Sequence, residues 1–137
     1  MKTGIQHLAW FLLLPATLLA PGCKDNSTNQ TASDIVFPAS GVSYGKQVEP
    51  LFLHSCAQPS CHDEYTGTGG LSLDTYQDLM SASPPVVRLK DTTNSLIVWS
   101  IEGTHGLGIM PPAPVPRLNN NQITGIKRWI LEGAQNN

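Results

Sequence analysis

Apolar residues recur at helical spacing in four stretches of the chain, and polar, Gly- and Pro-rich segments separate them. The first stretch predicts a helix over Ser43–His54, where Val48, Leu51 and Phe52 fall on one face at i, i+3 and i+4. Pro50 lies inside that run and cannot donate to a helical carbonyl, so the helix either kinks there or restarts at that residue. A short helix over Asp74–Ser81 offers Leu73, Tyr76, Leu79 and Met80 to a core, with Asp74 placed to cap it. Asn94 or Ser95 caps a third helix running to Glu102, which buries Leu96, Ile97, Trp99 and Ile101 and stops at Gly103. The last helix is the best marked. Asn119 and Gln122 form a capping box, Leu118 and Ile123 take the staple positions, and Ile123, Ile126, Ile130 and Ala134 repeat on one face beside Trp129. Gly133 ends it, and its apolar face needs the first helix as a partner.

The N-terminus follows a different pattern. Lys2, the apolar run Leu8–Leu14 continuing past Pro15 to Leu19, and Ala20-Pro21-Gly22 before Cys23 read as a secretory signal over residues 1–22. The apolar run is short for a membrane span and Pro15 breaks it. A small residue followed by cysteine directly after such a run resembles a bacterial lipoprotein signal, so Cys23 is expected to be acylated and to anchor the protein to a membrane. Lys24 follows that cysteine in place of the aspartate that retains such proteins at the inner membrane, which favours an outer-membrane anchor in a Gram-negative host. Residues 23–40 are rich in Asn, Ser, Thr, Gln and Asp and read as a flexible tether to a single domain over 41–137.

The chain has 137 residues and a net charge of -2, which allows one small domain and gives no basic footprint for nucleic acid. With 12 Gly and 11 Pro, its composition suits short helices joined by turns and loops.

Of the three cysteines, two stand in Cys56-Ala57-Gln58-Pro59-Ser60-Cys61-His62. Two thiols and an imidazole within seven residues are what covalent haem attachment requires. Each thiol can add across one haem vinyl group, and the adjacent histidine is then carried under the porphyrin with a ring nitrogen free for iron. The usual spacing has two residues between the cysteines; here there are four, and Pro59 suits the bend of the longer loop. Phe52 is the core residue nearest that site. A long loop, Thr104–Pro116, offers two candidates for the other face of the iron, Met110 and His105. A thioether is a soft neutral ligand that raises the potential of haem iron, and Pro111 and Pro112 would restrict the backbone that carries it. Met80 fits a helical core face better. His54 reads as a polar residue at a helix end, where a partly cationic side chain suits the dipole.

Taken in order, these features resemble a class I c-type cytochrome. Within that group the chain is similar to small bacterial domains with Cys-x4-Cys-His, then Gly-Gly-Leu, then Met-Pro-Pro, then Trp-Ile-x-x-Gly-Ala. Here those are Cys56 to His62, Gly69-Gly70-Leu71, Met110-Pro111-Pro112 and Trp129 to Ala134. The resemblance spans about Val42 to Ala134. It implies an all-α cytochrome c-like fold of four or five short helices around one covalent haem c, with the N- and C-terminal helices crossing. It further implies His62 as proximal ligand, Met110 as distal ligand, Phe52, Leu71, Pro111 and Trp129 packed on the haem, and electron transfer to and from redox protein partners. That places the protein outside the cytoplasm, in the periplasm or at the cell surface, as an electron carrier and not an enzyme. Two other readings stay open at this stage. One is a peroxidase-like haem enzyme with an open distal site. The other is a structural site without haem, either zinc on Cys56, Cys61, His62 and His54 or a Cys56–Cys61 disulfide.

Overall fold

The computed structural model describes residues 31–137. The expected signal segment 1–22, Cys23 and the beginning of the tether lie outside the described residues.

The first helical region restarts instead of kinking. A π-helical turn over Tyr44–Val48, capped by the Ser43 hydroxyl accepting the Lys46 N–H at 3.3 Å, runs straight into α1 (Glu49–Ser55). Pro50 thus falls in the first turn of α1, where a missing N–H has no intrahelical partner to lose. Tyr44, Val48, Leu51 and Phe52 are all buried along this region.

A second short helix, α2 (Tyr76–Ser81), begins later than expected. Its cap is the Thr75 hydroxyl, which accepts the Asp78 N–H at 3.1 Å. Asp74 was the expected cap, but its carboxylate accepts the backbone N–H of Glu64 and so closes the preceding loop. Helix α3 (Leu96–Glu102) follows Ser95, whose buried hydroxyl donates to the Asp91 carbonyl at 2.7 Å and accepts the Arg88 N–H at 2.8 Å. Gly103 stops α3 in a left-handed conformation, φ +64°, and a Cβ there would sit 3.0 Å from that of Ile109.

Helix α4 (Asn120–Leu131) carries the expected capping box: Asn119 Oδ1 accepts the Gln122 N–H and Gln122 Oε1 accepts the Asn119 N–H, both at 3.0 Å. It packs on α3 and meets the first helical region through Trp129, whose ring centroid lies 5.7 Å from that of Tyr44. Hydrogen bonds from Ser43, Tyr44 and Gly45 to Asn137 tie the segment after α4 to the same region. Four α-helices and no strand among the described residues make an all-α, cytochrome c-like fold.

The tether assignment fails from residue 31 onward. Ile35 and Phe37 are 2 % and 4 % exposed, and both belong to the core. Phe37 rests on α4 at Gly125, where a Cβ would come within 2.1 Å of its ring. Its backbone N–H and C=O are both bonded by the Asn121 amide, at 2.8 and 3.1 Å. Polar composition favours a tether, but two apolar side chains with a notch to fill are enough to dock the segment.

Candidate functional site

The end of α1 delivers the chain into the attachment loop. Cys56 and Ala57 both donate to the Phe52 carbonyl, at 2.8 Å, and close the helix. The four residues between the thiols then make a tight reversal: the Cys61 N–H donates to the Gln58 carbonyl at 2.9 Å, with Pro59 and Ser60 at the corners. Ser60 has φ +73° there, as the third position of a type II turn demands and as glycine usually provides. His62 is pinned on both backbone sides, its N–H donating to Cys56 at 3.1 Å and its carbonyl accepting from Leu73 at 2.8 Å.

The imidazole is oriented as well. His62 Nδ1 lies 3.2 Å from the Leu71 carbonyl oxygen, which can only accept, so Nδ1 carries the proton. That leaves the Nε2 lone pair free to bind a metal, the usual second-sphere arrangement of a metal-ligating histidine. Leu71 therefore serves the site through its backbone as well as its side chain.

Cys56, Cys61, His62 and Met110 line one cavity of about 250 Å³. Phe52 and Ser55 of α1, Leu71 and Leu73, Leu96, Ile97, Ser100 and Ile101 of α3, and Pro111, Pro112 and Val115 supply most of its remaining wall. The lining holds no Lys, Arg, Asp or Glu side chain. An apolar slot with two thiols, one oriented imidazole and one thioether fits a covalently attached iron porphyrin. Val86, Ser100 and Val115 were not singled out from sequence. Ser100 follows from the face of α3 that Leu96, Ile97 and Ile101 share, whereas Val86 and Val115 lie on loops without periodicity.

Two of the side chains singled out from the sequence lie away from the cavity. Trp129 does not line the cavity; it is 1 % exposed and packs with Tyr44 and Tyr76, its Nε1–H donating to the Gln135 carbonyl at 2.9 Å. Its helical face is directed at an aromatic cluster and not at the haem slot. His105 is exposed and lies flat on Trp99, ring centroids 4.2 Å apart, away from the cavity lining. Met110 alone of the two loop candidates reaches the slot, and it remains 36 % exposed.

The donors expected for zinc are not assembled either. His54 is exposed on α1, and no group of three or more His, Cys, Asp and Glu is placed to hold a metal ion among the described residues. Burial, with the Cys61 thiol adding to it, pushes the Cys56 thiol up to about 12. Cys56 and Cys61 are both free thiols and not a disulfide.

Residues 59–114 match a protein family described as Planctomycete cytochrome C. The matched stretch holds Cys61, His62, Leu71, Met110 and Pro111 and begins three residues after Cys56. It supports a haem-binding, cytochrome c-like domain. No curated protein and no solved structure matches the chain.

Proposed function

We propose that this chain is an exported monohaem c-type cytochrome that carries single electrons between redox proteins. Cys56 and Cys61 are joined to one haem c through thioethers, and His62 and Met110 ligate its iron. The observation that carries the reading is the single apolar cavity at which both thiols, His62 and Met110 meet although the loop bearing Met110 is distant in sequence. The haem, once bound, supplies an iron centre that gains and loses one electron.

The chain's own residues do the rest. Each thiol adds its sulfur to one carbon of a vinyl group and its hydrogen to the other, so attachment consumes no external redox equivalent. The Leu71 carbonyl holds the His62 proton on Nδ1 and keeps Nε2 directed outward as a ligand. Met110 offers a neutral, soft sulfur that favours the reduced state. Phe52, Leu73, Ile97 and Ile101 keep water from the slot, which limits the solvent rearrangement that accompanies each electron. With His62 and Met110 both holding the iron, no site would be left for a substrate, and the protein would act as a carrier and not an enzyme.

The N-terminal pattern supports export and acylation of Cys23, which would hold the domain at a membrane outside the cytoplasm. No helix among the described residues is long and apolar enough to cross a membrane. The test is a pyridine haemochrome spectrum and an acid extraction on protein exported from a host that matures c-type haem. One haem per chain that resists extraction is expected, and Met110→Ala should abolish the far-red sulfur-to-iron band. Extractable porphyrin, or none, rejects the reading.

A further inference from the structure

The loop between α3 and Met110 is built with almost nothing to hold it. No residue from 102 to 110 is buried, and Leu107 is 40 % exposed. A segment with so few buried apolar contacts opens easily. Yet both of its ends return to α3: the Thr104 N–H donates to the Trp99 carbonyl at 2.9 Å, and the Met110 N–H donates to the Ser100 carbonyl at 2.8 Å. Between those anchors Ile109 is half-buried beside Gly103, and the His105 imidazole is laid on the Trp99 indole, 4.2 Å between centroids and 18° from parallel.

We propose that Trp99 and His105 form a clamp that holds this loop shut and so keeps Met110 at the haem slot; the inference rests on the axial role proposed above for Met110. Trp99 is the fixed jaw, because its Nε1–H donates to the Thr93 carbonyl at 2.6 Å and so sets the plane of the indole on α3. His105 is the moving jaw. Its backbone sits at φ +55°, a region costly for a residue with a Cβ, and its Nδ1 lies 3.1 Å from the Thr104 hydroxyl. Stack and hydrogen bond together over-determine that conformation. Both residues are positioning residues: neither lines the cavity, and each acts on the iron only through the loop that carries Met110.

A closed loop and an added ligand compete for the same iron position, so the apparent affinity for the added ligand reports the open fraction. Losing one stacked aromatic pair should raise that fraction roughly three- to tenfold. The experiment titrates imidazole into the ferric, haem-loaded protein and follows the sulfur-to-iron band. Trp99→Ala and His105→Ala are each expected to bind imidazole roughly three- to tenfold more tightly with haem content unchanged, while His105→Phe, which restores a flat ring, stays near the unsubstituted protein. Unchanged imidazole affinity in both alanine variants, with the band intact, overturns the clamp and leaves Met110 in place. Loss of the low-spin spectrum in His105→Phe and His105→Ala alike would put His105 itself on the iron and also overturn it. An unsubstituted protein without the band fails the Met110 assignment, and the clamp falls with it.

Discussion

Tyr44 is where the core is least consistent with itself. It is 2 % exposed, its ring meets Tyr76 edge-on at 5.1 Å and Trp129 at 5.7 Å, and its hydroxyl has no hydrogen-bond partner among the described residues. Burial, then the charge of Glu49 and Asp78, raises the phenol well above its ordinary value. The fold therefore prefers the neutral phenol, while the unfolded chain ionises it from about pH 10, so stability falls as pH rises beyond that point. Tyr44→Phe removes an orphaned polar atom and keeps the ring. Urea unfolding at neutral pH should find the variant neutral or more stable by up to about 1 kcal/mol, and its alkaline decline should be shallower than that of the unsubstituted protein. A clear loss of stability at neutral pH would count against the hydroxyl being unpaired.

Among the elements, α4 shows how a local signal can conceal a distant one. Asn119→Ala breaks the N-cap and should cost about 1 kcal/mol. Gln122 looks like the lesser half of the box, yet it is 3 % exposed, and its amide Nε2 also donates to the Ala32 carbonyl at 2.6 Å. Gln122→Ala leaves the part-buried Asn119 N–H and Ala32 carbonyl without their partner and should cost about 2 kcal/mol, more than the cap itself. Urea midpoints of the two haem-loaded variants decide the order; equal losses would reduce Gln122 to a capping residue. The box and the face of α4 were legible from the sequence because they depend on neighbours three and four residues away. The sequence also grouped Cys56, Cys61, His62 and Met110 by the kind and order of their donor atoms, and the structure brings these four to one cavity. The cap of α2 was misread by one residue because Asp74 is held by Glu64 across a loop. Trp129, which the resemblance alone put on the haem, packs with Tyr44 and Tyr76 and is not part of the cavity lining.

For the molecule as a whole, the question is where the domain starts. The sequence around Ile35-Val36-Phe37 is polar enough to pass for a linker, but these three alternate strictly: Ile35 and Phe37 turn inward and Val36 is 69 % exposed. Phe37 fills the notch at Gly125, and the Glu132 carboxylate accepts from the backbone of Gly41 and Val42, each at 2.9 Å. Removing the arm empties the notch and deprives Asn121 and Gln122 of their backbone partners. Burying Ile35 and Phe37 is worth about 1.5–3 kcal/mol each, a large share of the roughly 5–15 kcal/mol that holds a domain of this size together. A haem-loaded chain beginning at Val42 should therefore lose about 3 kcal/mol or more against one beginning at Thr31, and its urea slope should fall because less surface is exposed on unfolding. It would still carry every residue of the haem slot, since none of the lining comes from the arm. Equal midpoints and slopes for the two chains would return residues 31–40 to the tether, with the arm's contacts worth nothing net. A large difference would make the arm structural and start the folded domain no later than residue 31.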